Sequence, residues 1–120
     1  MSSTSQSLFK SSAAMKDIIR QLIAFRDARD WAQFHNPKDL ALAISIEASE
    51  LLELYLWKKP EDADVDKVKN ELADVLLYCL LLNEKYGFDL QQILKDKIAL
   101  NAQKYPVDKA KGTAKKYSDL

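Results

Sequence analysis

Hydrophobic residues recur at three- and four-residue intervals through most of the chain, and this spacing predicts helices. The polar residues 1–10 precede the pattern and are expected to be flexible. A first helix is expected from about Ser11 to about Trp31. A second is expected over about 37–57, because Asn36 followed by proline is typical of a helix N-terminus.

Two further helices follow in the pattern. The third is expected over about 63–86, and Gly87 is the residue type that favours the position just past a helix end. The fourth is expected over about 89–104 and must end before Pro106, since the residue preceding a proline disfavours helical backbone. Residues 107–120 are lysine-rich and are expected to form an extended or partly ordered tail.

The pattern predicts an all-α fold, a four-to-five-helix bundle with one domain over residues 11–106. Two glycines and three prolines among 120 residues favour few, long helices over a fold rich in strands and turns. The third helix is apolar around nearly its whole circumference, and Cys79 within it is expected to be buried. One chain leaves part of this surface uncovered, so we expect the bundle to be completed by oligomerisation.

Charge and hydropathy argue against several classes of partner. The 18 basic and 18 acidic side chains balance, so no overall field favours a nucleic acid or an anionic membrane. No apolar run reaches the roughly 18 residues that a membrane span needs. The N-terminus lacks the features of a secretory signal, and the expected location is cytoplasmic.

Two pairs of acidic residues break this apolar pattern. Glu47 and Glu50 lie on the second helix, Glu71 and Asp74 on the third, and each pair is three residues apart and so shares a helix face. Glu47 occupies a core position of its apolar stripe, and Asp74 interrupts a leucine-rich run. An unpaired carboxylate in such surroundings is costly, so a bound cation is expected between the helices. Acidic pairs at this spacing are also common on solvated faces, and spacing alone leaves both interpretations open.

Four carboxylates without a neighbouring histidine or cysteine favour a hard cation, Mg²⁺ or alternatively Mn²⁺. Di-iron bundles use Glu-x-x-His pairs, and the single histidine, His35, does not follow a glutamate at that spacing. Magnesium suits a polyphosphate substrate, because it neutralises phosphate charge and acidifies a bound water. The chain has no glycine-rich phosphate loop, which excludes a P-loop mechanism.

The two acidic pairs, separated by about twenty residues, resemble the ExxE and ExxD motifs of the all-α nucleoside triphosphate pyrophosphohydrolase superfamily. The flanking segments resemble one branch of it, the MazG-like proteins and dCTP pyrophosphatases. The similarity spans roughly residues 15–106. The matching segments outside the acids are residues 26–38, residues 50–58, Lys97, Asn101 and residues 104–106.

This resemblance implies hydrolysis between the α- and β-phosphates of a (d)NTP, giving a nucleoside monophosphate and pyrophosphate. It implies that the four acids are the metal ligands and catalytic residues. Trp31, His35 and Trp57 fall where the branch builds its base pocket, and Tyr78 falls where an aromatic side chain contacts the sugar or base. The two tryptophans favour a pyrimidine, such as dCTP or a modified cytosine nucleotide, in a house-cleaning role.

The resemblance also implies that Lys97 and Asn101 reach the phosphates or the nucleotide. Short members of the superfamily form dimers or tetramers, so a homodimer or homotetramer is expected. Taken alone, Lys97 and Asn101 also fit a solvated helix face, and tryptophans are often core or interface residues. Two alternatives stay open: a non-catalytic helical nucleotide-binding or oligomerisation protein, and a related enzyme such as a phosphoribosyl-ATP pyrophosphohydrolase.

Overall fold

The computed structural model describes the backbone of residues 3–120 and the side chains of residues 13–120. No strand occurs in the described part of the chain, and the predicted all-α class is confirmed. No helix in that part is long and apolar enough to cross a membrane. The helices are α1 (Ser3–Ala28), α2 (Pro37–Glu53), α3 (Val65–Tyr86), α4 (Leu90–Lys104) and α5 (Val107–Ala110), with 3₁₀ turns at Ala32–Phe34, Pro60–Asp62 and Tyr117–Asp119.

Two compact units divide the chain, Met1–Tyr86 and Gly87–Leu120. In the first, α2 packs along α3, and α1 makes a smaller contact with α3. Among the described side chains, Leu40 of α2 and Leu81 of α3 are its buried apolar residues. The predicted division at residues 10 and 106 stays a prediction.

The second unit contains α4 and α5. The Tyr105 and Tyr117 rings meet edge to face with centroids 6.3 Å apart, and the Lys104 ammonium lies 4.9 Å from the Tyr117 ring centroid. These contacts tie the end of the chain to the end of α4. The tail predicted as extended or partly ordered therefore contains a short helix and a 3₁₀ turn.

Local capping sets most helix ends. The Asn36 side chain accepts a hydrogen bond from the Asp39 amide at 2.8 Å, which confirms the predicted start of α2. Asp89 caps α4 in the same way, through the Gln92 amide at 3.2 Å. Gly87 has φ +67°, the left-handed conformation expected of the residue that follows α3.

The predicted end of α2 at Trp57 was wrong, because the helix stops at Glu53. The next three amides bond three residues back instead of four, which tightens the chain into turns. Trp57 then adopts φ +62°, and its side chain is 100% exposed. The apolar pattern continues through residues 54–57, so periodicity alone extends the helix too far.

Helix α1 also differs from its prediction at both ends. It begins at Ser3 instead of near Ser11 and ends at Ala28 instead of near Trp31. Met1 and Ser2 lie outside the described residues, and the flexibility predicted for residues 1–10 stays a prediction.

A Schellman motif closes α1. The Trp31 amide donates to the Arg26 carbonyl at 3.1 Å, and the Asp30 amide donates to the Asp27 carbonyl at 3.1 Å. Asp30 supplies the left-handed residue with φ +54°, where glycine is usual. Gln33 donates to both the carbonyl and the carboxylate of Asp30, each at 3.0 Å. The chain therefore leaves α1 in a defined direction.

The predicted burial of Cys79 was wrong for the single chain, because its side chain is exposed. Leu76, one turn earlier on α3, is 54% exposed, and Leu72, two turns earlier, is 46% exposed. Helices α1 and α2 cover only part of α3, and this face is left uncovered. We call Leu72, Leu76 and Cys79 the outer α3 face.

The left-handed Asp30 gives a stability prediction. Asp30→Gly is expected to be more stable than Asp30→Ala by about 1 kcal/mol, because an alanine Cβ is strained at positive φ. Both variants lose the same carboxylate, so each controls for the other. Urea unfolding followed by circular dichroism measures the difference, and equal midpoints would contradict the assigned backbone conformation.

Candidate active site

Three acidic side chains converge between α2 and α3. Glu47, Glu71 and Asp74 each offer a carboxylate oxygen, and the three oxygens lie within 4.8 Å of one another. All three residues are half-buried. Glu50, one turn after Glu47, is exposed, and its charge contributes to raising the pKa of both Glu47 and Glu71. The four predicted acids therefore form one group, which we call the acid cluster.

The surroundings of the acid cluster disfavour negative charge. Burial, followed by hydrogen bonding to Glu50 and the charges of Glu50 and Asp74, raises the pKa of Glu47 to about 7. Burial and the Glu50 charge likewise raise the pKa of Glu71. Without a counter-ion, the Glu47 carboxyl thus keeps its proton to a higher pH than an ordinary glutamate does.

The residues present fit a hard divalent cation. The buried Oε2 atoms of Glu47 and Glu71 have no hydrogen-bond partner among the described residues, although buried acceptors are normally paired. The donors are all carboxylate oxygens, the ligand type preferred by Mg²⁺ and Mn²⁺. A cation between α2 and α3 would satisfy these oxygens and offset their mutual repulsion.

A cavity of about 250 Å³ adjoins the acid cluster. Asp74 belongs to both, so the cavity opens directly beside the candidate metal ligands. Its walls are mostly apolar and aromatic, with one arginine and one histidine. It is lined by Leu22, Phe25, Arg26, Trp31, His35, Asp74, Leu77, Tyr78 and Leu81.

Three of the predicted binding residues, Trp31, His35 and Tyr78, meet in this cavity. Trp57 does not line it: α2 ends before this residue, and the indole is wholly exposed. Lys97 and Asn101 are exposed on α4, in the second unit. The roles predicted for all six residues stay predictions.

His35 faces the cavity as a neutral imidazole. Burial, Arg26 and Lys85, in that order, lower the pKa of His35 below its ordinary value. Its buried Nδ1 has no hydrogen-bond partner in the described part of the chain. The Lys85 ammonium donates to the Ala32 carbonyl at 3.5 Å, at the start of the turn that leads to His35. A neutral imidazole offers one donor and one acceptor to a bound molecule.

Several lining residues were missed from the sequence. Leu22, Phe25 and Arg26 follow one another at helical spacing on α1 and read as ordinary helix-face residues. Leu77 and Leu81 flank Tyr78 in the leucine-rich run. Their positions relative to the predicted site residues could have indicated them. Phe25 and Arg26 lie within six residues of Trp31, and Leu77 and Leu81 lie one turn and two turns beyond Asp74.

The all-α scaffold thus places an aromatic cavity beside a cluster of carboxylates that suits a divalent cation. The chain belongs to the MazG-like family, which matches residues 42–120. Pyrophosphatases of this family are generally metal-dependent, in keeping with the acid cluster.

Individual relatives point to the same class. The chain is 37% identical to dCTP pyrophosphatase 1 of Bos taurus, over 93% of this chain and 71% of the relative. It is 32% identical to the Homo sapiens protein of that name, again over 93% of this chain and 71% of the relative. A crystal structure of a pyrophosphatase from Archaeoglobus fulgidus superposes with a TM-score of 0.71 at 37% identity, covering 78% of this chain and 93% of that one. The predicted branch and enzyme class, a nucleotide pyrophosphohydrolase, are confirmed.

The acid cluster predicts an inverted pH dependence of stability in the metal-free protein. The Glu47 pKa rises from 4.5 to about 7 on folding, so the folded state binds protons more tightly than the unfolded state. This contribution is complete below about pH 4.5 and is lost as the pH rises through about 7. The measurement is the Tm in chelator between pH 5 and pH 8, compared among the parent, Glu47→Gln and Glu53→Gln.

Glu47→Gln is expected to flatten the fall in Tm, while Glu53→Gln, at the exposed end of α2, keeps the parent slope. Added Mg²⁺ should raise the Tm of the parent more at pH 8 than at pH 5, because protons compete with the cation. The same slope in the parent and Glu47→Gln would contradict the assigned environment of this carboxyl.

Proposed function

We propose that this protein hydrolyses a nucleoside triphosphate, dCTP or a modified pyrimidine nucleotide, to the monophosphate and pyrophosphate. The observation that carries the proposal is the position of Asp74, which lies in both the acid cluster and the wall of the aromatic cavity. A base held in the cavity directs its phosphates toward the acids. The names of the dCTP pyrophosphatase relatives support the choice of nucleotide.

Glu47, Glu50, Glu71 and Asp74 hold the cation in this proposal, with Mg²⁺ as the preferred metal and Mn²⁺ as its substitute. When bound, the cation supplies charge neutralisation for the triphosphate and lowers the pKa of a coordinated water. Facing carboxylates from two helices are pre-positioned for this role by the packing of α2 on α3.

Water is the nucleophile, and the acid cluster also orients it. The resemblance to the pyrophosphohydrolases supports a water nucleophile, and the cavity lining contains no serine, threonine, cysteine or lysine. A carboxylate oxygen of the cluster that does not hold the cation accepts a hydrogen bond from the attacking water and takes its proton. Attack of this water cleaves the anhydride bond between the α- and β-phosphates, and the products are the nucleoside monophosphate and pyrophosphate.

The cavity suits a single-ring base. Its volume of about 250 Å³ lies just below the range of about 300–1,000 Å³ found for drug-sized ligands. Trp31 and Tyr78 offer aromatic faces for stacking, which contributes about 1–3 kcal/mol per base in nucleic-acid binders. The neutral His35 supplies a hydrogen-bonding group for the edge of the base.

Three residues outside the cavity keep in this proposal the roles that the resemblance implies. Lys97 and Asn101 contact the phosphates or the nucleotide, and Trp57 contributes its indole to the base pocket. We further propose a homodimer or homotetramer located in the cytoplasm. Two observations support self-association: the wholly exposed Trp57 and the uncovered outer α3 face, since exposed apolar surface of this kind marks interfaces.

Removing one carboxylate of the acid cluster tests catalysis. Glu71→Gln or Asp74→Asn is expected to lower pyrophosphate release from dCTP with Mg²⁺ by at least about a hundredfold, since each loses a cation ligand. Glu53→Gln removes an exposed acid at the end of α2, outside the cluster, and should match the parent. Circular dichroism checks that helix content is retained.

Parent activity retained in both cluster variants would overturn the assigned site. Nucleotide binding by the parent without pyrophosphate release would instead favour a non-catalytic binding protein. A panel of nucleotides, including phosphoribosyl-ATP, separates the proposed substrate from those of related hydrolases.

A charged substitution on the outer α3 face tests self-association of the protein. Leu76→Lys is expected to shift the protein to a smaller species, because a buried lysine in an apolar interface is costly. Light scattering after size-exclusion chromatography measures the mass, and Lys69→Met, an exposed change on the same helix, serves as the control. A parent that is already monomeric, or a Leu76→Lys variant of unchanged mass, would contradict the interface.

A further inference from the structure

Three side chains at and just beyond the end of α1 form a compact group beside the cavity. The Arg29 guanidinium carbon lies 3.7 Å from the centroid of the Phe25 ring and 5.9 Å from that of the Trp31 ring. The two rings meet edge to face, with centroids 5.6 Å apart and planes at 78°. We call Phe25, Arg29 and Trp31 the aromatic clamp.

The two rings of the clamp are only partly buried. Phe25 is 47% exposed and Trp31 is 43% exposed, yet both line the cavity. Buried rings are held by close packing on all sides, whereas half-exposed rings can change rotamer within nanoseconds. Their orientation therefore depends on the few directed contacts that they make.

Arg29 supplies the directed contacts. Its Nη1 donates a hydrogen bond to the Phe25 carbonyl at 2.9 Å, which fixes the guanidinium to the last turn of α1. The same planar group stacks over the Phe25 ring, and the Schellman motif places Trp31 against that ring. Arginine is suited to this because its flat, multi-donor group stacks and donates at once.

We propose that Arg29 is a positioning residue for the nucleobase: it holds Phe25 and Trp31 as a preformed wall and does not touch the nucleotide. Arg29 does not line the cavity, although its neighbours Phe25, Arg26 and Trp31 do. The proposal rests on the proposed function, since it takes the cavity to be the base site. A preformed wall improves binding by removing the cost of ordering the rings when the base enters.

Steady-state kinetics and nucleoside binding test this role. Arg29→Met is expected to raise the KM for dCTP about threefold to fivefold with kcat nearly unchanged, because the wall binds the base equally in the ground and transition states. Calorimetry should show deoxycytidine, which carries no phosphate, weakened by the same factor. Arg29→Lys should recover part of the loss, and Arg20→Met, an exposed change on α1, should match the parent.

A measurement on the Trp31 ring tests the positioning role independently of the proposed function. In protein labelled with 5-fluorotryptophan, the ¹⁹F resonance of Trp31 is expected to shift in Arg29→Met while that of Trp57 stays in place. A parent that releases no pyrophosphate from any triphosphate defeats the proposed function but leaves this resonance test valid.

Three results would overturn the positioning role. One is an unchanged Trp31 resonance in Arg29→Met. Another is a fall in kcat without a rise in KM. The last is a loss of dCTP affinity with deoxycytidine affinity unchanged, which would make Arg29 a phosphate ligand.

Discussion

Repulsion among carboxylates held between α2 and α3 is the constraint around which the site is built. The packing that buries Leu40 and Leu81 also brings Glu47, Glu71 and Asp74 together, so the fold cannot relax their repulsion without loosening its own core. The result is a raised pKa of Glu47, and buried carboxylate oxygens of Glu47 and Glu71 that have no hydrogen-bond partner among the described residues. The proposed divalent cation would relieve both, and the aromatic cavity beside Asp74 would hold the nucleotide whose phosphates meet that cation.

Much of the fold followed from local signals in the sequence. Asn36, Asp89 and Gly87 set helix ends through contacts with their near neighbours, so they were predictable without knowledge of the fold. The turn that places Trp57 in left-handed backbone has no glycine to mark it, and the apolar pattern continues through it. Cys79 was misassigned because periodicity reports that a face is apolar and does not report which molecule covers it.

The acid cluster was predictable because two acidic pairs at i and i+3 interrupt apolar helix faces. This interruption can be recognised from the sequence alone. The aromatic clamp was not, because it depends on the Schellman motif that turns Trp31 back toward Phe25. Asp30 is less common than glycine at a left-handed position, so the sequence did not indicate this turn. The resemblance to the pyrophosphohydrolases predicted roles for Trp31 and His35, which line the cavity, but the side chains around them could be found only in the structure.

The central claim is that the acid cluster binds a hard divalent cation, and Mn²⁺ electron paramagnetic resonance tests it most directly. Titration of the protein with Mn²⁺ at pH 8 measures the unbound ion by its six-line spectrum. The account predicts saturable binding that weakens toward pH 5.5, as the Glu47 carboxyl with its pKa of about 7 takes up a proton. It also predicts that Glu47→Gln weakens binding, while Glu53→Gln does not. Equal Mn²⁺ binding by the parent and Glu47→Gln, or none by the parent at pH 8, would contradict it.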